Sequence, residues 1–172
     1  VTRWNEKLLY NGYGMFFYIR NINSNEAWSA SYEPMRKKPE EYKVVFSSDK
    51  AEYCRTDGNI DTRMEIVISP EDNVEIRTIS LTNHSSHFRI IEVTSYFEVV
   101  LSPIGADMAH PAFNNLFVKT EFVPDKNILL ANKRPKQSKQ KPLWLFHTVF
   151  VEGETVGALQ YETDRSRFIG RG

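Results

Sequence analysis

The sequence predicts an all-β protein, an antiparallel β-sandwich of two packed sheets. Short segments rich in β-branched and aromatic residues alternate between apolar and polar positions, and turn residues separate them at regular intervals. No segment shows a helical period over three turns. About eleven strands are expected, which is near the upper limit for one open sheet, so two packed sheets are favoured.

The first predicted strand covers residues 14–20, and Asn and Ser residues at 21–25 supply a tight turn. A second strand is predicted at 26–32. Trp28 and Tyr32 are both even-numbered positions of that extended segment, so we expect them on one face of the hairpin.

Four further strands follow in the first half of the chain, at residues 42–48, 51–57, 59–69 and 74–83. In the last of these the apolar residues change phase, since Ile76 is at an even position and Ile79 at an odd one. A β-bulge at Arg77 and Thr78 would place the apolar residues before and after it on the same face of the sheet, and we expect one there.

The longest predicted strand covers residues 87–101 and would span about 45 Å, so it should bend or be bulged. Its odd positions are apolar, whereas its even positions include Glu92 and Tyr96. Residues 102–115 form a connection without clear periodicity. The remaining strands are predicted at 116–122, 127–134, 143–152 and 158–163.

Composition excludes several classes of function. Lys plus Arg number 22 and Asp plus Glu number 22, so a neutral chain has no electrostatic reason to bind nucleic acid or an anionic membrane. Cys54 is the single cysteine, which excludes an internal disulfide and favours a reducing, cytoplasmic compartment. The 172 residues suit one domain, and because no initiator Met is present we expect a fragment of a larger multidomain enzyme.

No catalytic, metal or cofactor site is predicted. Glu92 and Glu98 share a strand face but lie about 20 Å apart along it, too far for a glycosidase pair. Asp107 and His110 have no further ligand at metal spacing. The sequence contains no nucleophile elbow and no glycine-rich phosphate loop. The basic segment 133–141 is read either as a solvated loop or as an anion site.

Sugar binding requires flat apolar rings together with planar polar side chains. Such residues are present, but an aromatic residue in a sandwich is more often a core residue than a platform for sugar. The residues of these types are Trp4, Tyr18, Arg20, Trp28, Tyr32, Glu92, Tyr96 and Glu98. Arg20 and Glu98 could pair with each other as readily as with a sugar hydroxyl.

An ordered series of local motifs is more specific than any single residue. The motifs are VTRWNE at 1–6, YIRN at 18–21, EAWSASYEP at 26–34, VEIR at 74–77, LTN at 81–83, EVTSYFEVVL at 92–101, ADMAHPAF at 106–113, LFVKTE at 116–121 and FIGRG at 168–172. This series resembles the N-terminal β-sandwich of glycoside hydrolase family 94, and within it most of all the branch of cyclic β-1,2-glucan synthases and β-1,2-oligoglucan phosphorylases. Asn21 and Asn25 depart from the family's usual Asp and Gly, and both still suit a turn.

The resemblance implies that the predicted β-sandwich forms part of a two-sheet supersandwich. It also implies a non-catalytic, carbohydrate-associated domain, because the family's catalytic acid and phosphate-binding groups lie in a downstream (α/α)-barrel. The expected partners are a β-glucan oligosaccharide, that barrel and a second copy of the chain, and the parent is either a soluble phosphorylase or a membrane-anchored synthase. A purely structural or dimerisation module is the alternative, and an enzyme in its own right is a third reading. The residues expected to contact sugar or to face the barrel are Arg20, Trp28, Tyr32, Tyr96, Glu98, Asp107 and His110.

Overall fold

The computed structural model describes residue 2 and residues 14–134 and 142–170. Two compact units are present among them. The first comprises residues 14–97, and the second comprises residue 2 together with residues 98–134 and 142–170. In both units the strands pair antiparallel, so the predicted all-β class is confirmed.

The first unit contains two sheets. Its strands are β1 (Met15–Asn21), β2 (Glu26–Ser29), β3 (Glu41–Phe46), β4 (Lys50–Asp57), β5 (Ile60–Ile68), β6 (Glu75–Asn83) and β7 (Ile91–Phe97). The three-stranded sheet has the order β2-β1-β7, and the four-stranded sheet is the meander β3-β4-β5-β6. Gly58 has a φ of +61°, which only glycine adopts without strain, and it begins the two-residue turn from β4 to β5.

The core of this unit lies between the two sheets. Ile19 and Trp28 are opposite one another on β1 and β2, and they pack with Ile60 and Met64 of β5. The indole Nε1 of Trp28 donates to Thr62 Oγ1 over 3.1 Å, which joins the sheets by a buried hydrogen bond. The two sheets therefore form a β-sandwich, as predicted.

The second unit contains one three-stranded sheet and short helices. The strands are β8 (Val118–Val123), β9 (Ile128–Lys133) and β10 (Leu143–Thr148), in the order β10-β9-β8. The helices are α1 (Ile104–Ala109), α2 (Pro111–Asn115) and α3 (Arg165–Ile169), with a 3₁₀ turn at Pro124–Lys126. The connection at 102–115 thus holds two helices of one to two turns, which are too short to produce a readable period.

Several predicted strand bounds are wrong. β2 ends at Ser29, so Tyr32 lies beyond the strand and does not share a strand face with Trp28. The long strand predicted at 87–101 is reduced to β7. Residues 158–163 are not a strand, although the ring of Tyr161 stacks on Phe122 with centroids 4.0 Å apart.

The bulge predicted at Arg77 and Thr78 is also wrong, because every residue of β6 pairs with one residue of β5. The phase change has another cause. Ile76 is 57% exposed, and Arg77 takes the inward position instead. Its guanidinium lies 5.8 Å from the Phe17 ring centroid and donates to the Met15 carbonyl over 2.8 Å.

Candidate functional site

The three-stranded sheet of the first unit carries aromatic and charged side chains on the face away from the core. Ile19 is fully buried on β1, so the even-numbered residues of that strand and their partners on β7 take the other face. We call these residues the outer-face group. They are Phe16, Tyr18, Arg20, Glu92, Thr94 and Tyr96.

Two tyrosines and one arginine give this group its chemistry. The rings of Tyr18 and Tyr96 are half-buried and tilted by 59°, with centroids 6.5 Å apart. Burial raises the pKa of Tyr18, so its phenol stays neutral and keeps a hydroxyl that can donate and accept. Arg20 is the cross-strand partner of Glu92, and its Nε and Nη2 donate to Asn25 Oδ1 over 3.1 and 2.7 Å. Flat rings beside planar polar groups can contact both the CH and the OH groups of a sugar.

Trp28 and Tyr32 lie in different environments. Trp28 is 1% exposed and belongs to the core, and Lys37 Nζ lies 5.4 Å from its ring centroid. Tyr32 is 42% exposed, with its ring centroid 6.5 Å from that of Tyr42. Of the residues predicted for a site in this unit, the structure therefore brings Arg20 and Tyr96 onto one sheet face and places Trp28 inside the sandwich.

The other predicted site residues are in the second unit. Glu98 Oε1 accepts a hydrogen bond from Arg165 Nε over 2.8 Å. Asp107 is 4% exposed within α1. His110 is exposed between α1 and α2, and its backbone N–H donates to the Ala106 carbonyl over 3.3 Å.

A buried polar cluster holds the segment that contains Asp107 and His110. Asn114 is 2% exposed, and its Nδ2 donates to the carbonyls of Ala106 and His110 over 2.5 and 3.1 Å. Lys133 Nζ donates to Asn114 Oδ1 over 3.0 Å and to Ser102 Oγ. These bonds connect both ends of the helical segment to β9, so the segment has a defined conformation.

Sequence reasoning missed a buried arginine in the first unit. Arg55 is 2% exposed and donates to both carboxylate oxygens of Asp57. Its Nη1 also donates to the carbonyls of Ser29 and Ser31, and its Nη2 to that of Lys37. Arg55 thereby binds the segment after β2 to the four-stranded sheet. The sequence did contain one signal of this burial. Arg55 and Asp57 are at odd-numbered positions of the predicted strand at 51–57, so they lie on the same face as Tyr53.

Some predictions fall outside the described residues, namely Trp4 and most of the basic segment 133–141. Within the described ranges, no three His, Cys, Asp or Glu side chains form a group that could hold a metal ion. No helix in the part of the chain that the structure describes has the length and hydrophobicity to cross a membrane.

Comparisons with known proteins cover the entire chain. A family model described as "Glycosyl hydrolase 94, supersandwich domain" matches residues 1–172. Cyclic beta-(1,2)-glucan synthase NdvB of Rhizobium meliloti (strain 1021) is 33% identical over 172 residues, which is 100% of this chain and 6% of that protein. Solabiose phosphorylase of Paenibacillus borealis is 25% identical over 162 residues, 94% of this chain and 20% of that protein. N,N'-diacetylchitobiose phosphorylase of Vibrio proteolyticus is 24% identical over 109 residues, 62% of this chain and 14% of that protein.

Proposed function

The chain belongs to the glycosyl hydrolase 94 supersandwich family, and on that premise we propose that it is a non-catalytic, carbohydrate-associated domain of a glycan phosphorylase or cyclic β-1,2-glucan synthase. Its relatives carry the names of both kinds of protein. The chain spans 6% of the glucan synthase and 20% of the solabiose phosphorylase, so the activity of the whole protein is part of this proposal.

The outer-face group is the observation that carries the carbohydrate contact. Tyr18 and Tyr96 offer adjacent rings, and Arg20 and Glu92 lie opposite one another at the next polar position of the same face. A neutral glucan carries no charge, so a strongly charged surface would not favour its binding. Aromatic rings beside a few polar groups suit such a ligand. The zero net charge of the chain agrees with such a ligand.

Four carboxyl groups have pKa values that do not suit general-acid catalysis. A glycosidic general acid needs a raised pKa so that it remains protonated near neutral pH. Among the described residues, the carboxyl groups with a resolved shift have lowered pKa values, because hydroxyl, imidazole or guanidinium groups donate to them. They are Asp49, Glu52, Asp61 and Asp164. These four groups are therefore unsuited to act as the general acid, and we assign the chemistry to a downstream (α/α)-barrel, as the resemblance to the family implies.

The helical segment at 102–115 suits a role in supporting that barrel. Asn114 and Lys133 hold it through side-chain bonds, while His110 and Phe113 are exposed on it. A docking surface needs such a defined backbone, because ordering a mobile loop would weaken the contact. We place the domain in the cytoplasm, within a parent that is either soluble or membrane-anchored.

Titration of the purified 172-residue chain with β-1,2-linked glucan oligosaccharides by calorimetry tests the proposal. Saturable binding is expected, with no glucose 1-phosphate formed from glucan and inorganic phosphate. Absence of binding at any accessible concentration would remove the glucan contact and leave only the support role. Turnover by the isolated chain would overturn the non-catalytic assignment.

A structural or dimerisation module is the second candidate, and one observation favours it. Leu143, Trp144 and Phe146 of β10 are 57%, 57% and 58% exposed, and β10 lies at the edge of its three-stranded sheet. An apolar edge strand can pair with a second copy. Sedimentation analysis of the wild type and Phe146→Ser separates the candidates. A concentration-dependent dimer that the substitution abolishes, without glucan binding, would favour this second function.

A further inference from the structure

A cleft opens in the first unit between the turn from β1 to β2 and the turn from β4 to β5. Its volume is about 150 Å³, below the range of about 300–1,000 Å³ for sites of drug-sized ligands and comparable to a cavity that holds a single six-membered ring. Trp28 and Ile60 provide apolar walls from the core. The polar lining consists of Asn21, Ser24, Glu26, Asp57, Asn59 and Arg89.

Arg89 gives the first indication that the cleft is a binding site. Its Nε is buried, and no hydrogen-bond acceptor lies within reach of it among the described residues. A buried donor without a partner costs folding free energy, so native proteins rarely keep one without a functional reason. A ligand oxygen in the cleft would supply an acceptor to the guanidinium.

The charges at the cleft identify the class of ligand. Asp57 is already neutralised by Arg55, with donor–acceptor distances of 2.6 and 2.8 Å. Arg89 and Glu26 then contribute opposite charges to the same lining. Glu26 is solvent-exposed, and besides Lys37 Nζ at 3.7 Å it accepts from Ser24 Oγ over 3.2 Å. The Glu26–Lys37 pair is solvent-exposed and screened, so the Glu26 carboxylate still disfavours a phosphate-like anion near Arg89, and an uncharged ligand is favoured.

Amide side chains complete the recognition chemistry. Asn59 and Asn21 each carry a donor and an acceptor group, and a sugar hydroxyl can use both. The Asn21 Oδ1 already accepts from the Asn23 amide over 3.0 Å, which holds the turn in place. Arginine, carboxylate and amide groups at one cleft therefore match the hydroxyl groups of a sugar ring.

We propose that this cleft binds one sugar residue of a neutral glucan, with Arg89 and Glu26 contacting neighbouring hydroxyl groups. The proposal rests on the proposed function and adds a second contact, separate from the outer-face group. The two contacts would differ in their chemistry. The sheet face has aromatic rings for stacking, whereas the cleft has enclosed polar groups for hydrogen bonding.

The experiment uses sophorose, the β-1,2-linked glucose disaccharide, and inorganic sulfate as separate probes of the 172-residue chain. Binding is followed through the NMR signal of the Trp28 indole Nε1–H, which belongs to a residue of the cleft wall. Arg89→Met removes the guanidinium and keeps an aliphatic side chain. Arg63→Met is the charge-matched control, because Arg63 lies on the opposite side of β5 from Thr62 and Met64, outside the cleft.

Arg89→Met is expected to weaken sophorose binding about tenfold or more, as loss of a charge-assisted hydrogen bond does, while Arg63→Met binds like the wild type. The denaturation midpoint of Arg89→Met should equal or exceed that of the wild type, because an unpartnered buried donor has been removed. Glu26→Gln provides a second variant at an exposed position. It should weaken sophorose binding severalfold and strengthen sulfate binding.

The remaining outcomes overturn the inference in distinguishable ways. Equal sophorose affinity in the wild type, Arg89→Met and Glu26→Gln would remove the cleft assignment and leave the proposed glucan contact elsewhere on the chain. Sulfate binding that Arg89→Met abolishes, without sophorose binding, would make the cleft an anion site. No response of the Trp28 signal of the wild type to either probe would remove the cleft assignment, whereas the outer-face contact would still be decided by the calorimetric titration.

Discussion

Arg55 and Asp57 form a two-point ion pair inside the sandwich, with Nε–Oδ2 at 2.6 Å and Nη2–Oδ1 at 2.8 Å. They lie two residues apart on β4, so their side chains emerge on the same face of the sheet. Removing one partner from a buried pair leaves an uncompensated charge.

We therefore expect Asp57→Asn to lower the free energy of unfolding by about 3–5 kcal/mol, as measured by urea denaturation. Arg63→Met serves as the control, because Arg63 is half-exposed and its pairs with Glu52 and Glu65 lie at the surface. It should cost at most about 1 kcal/mol. Similar losses in both variants would show that the buried pair does not stabilise the sandwich.

Trp28 should act as a core residue. Trp28→Phe reduces the buried ring and removes the donor to Thr62, so a loss of about 1–3 kcal/mol is expected in thermal or urea denaturation. Trp144→Phe is the matched control, because Trp144 is 57% exposed on β10. A stable Trp28→Phe variant with reduced glucan affinity would instead assign the indole to a binding role.

Glu52 should remain charged in acid. The hydrogen bond from Arg63 is the main cause that lowers its pKa from 4.5 to about 2. Since the folded pKa lies below the unfolded value, the stabilisation is present above pH 4.5 and is lost as the pH falls through about 2. Carboxyl NMR shifts should show Glu52 ionised at about pH 3, and in Arg63→Met its pKa should return towards 4.5. An unchanged titration in that variant would assign the shift to another cause.

The outer-face group should contribute to glucan affinity. Tyr96→Ala is expected to weaken glucan binding about three- to tenfold, because it removes one ring contact whose free energy is comparable to that of an aromatic pair. Phe46→Ala is the control, because Phe46 is an exposed aromatic of the other sheet, at 74%. Equal effects of the two substitutions in calorimetric titration would contradict a specific contact at this face.

Asn114 should stabilise the helical segment at 102–115. Asn114→Ala leaves the Ala106 and His110 carbonyls without their side-chain donor, so a local cost of about 1–3 kcal/mol is expected. Hydrogen exchange of the segment should accelerate accordingly. Asn115→Ala, at an exposed neighbouring position, should leave exchange unchanged. Acceleration in both variants would mean that helix propensity, and not the buried amide, controls the segment.

The alternation of apolar and polar residues along the sequence predicted the bounds of several strands correctly. β4 and β9 lie within a residue of their predicted bounds, because turn residues flank both segments. The prediction of a bulge failed because a charged residue takes an inward position, where the Arg77 guanidinium lies over the Phe17 ring. Strand prediction failed also at 158–163, where an alternating segment pairs with no strand in the described part of the chain.

The candidate site was only partly predictable for the same reason. Residue types indicated sugar chemistry, but a list of aromatic residues does not state which ones face the core. Trp28 and Tyr96 illustrate this, since both occupy even positions of predicted strands. Trp28 is opposite Ile19 and buried, whereas Tyr96 lies on the other face of the sheet.

The amino-acid sequence by itself determined the all-β class, the neutral charge and the family, because alternation, composition and ordered motifs are local properties of the chain. Only the tertiary structure decided that Arg55 is buried, that Arg20 and Tyr96 share a sheet face, and that Arg89 and Glu26 line one cleft. Those relationships depend on strand register and on which sheet covers which face. Register arises from pairing between residues distant in the chain, and no local pattern contains it.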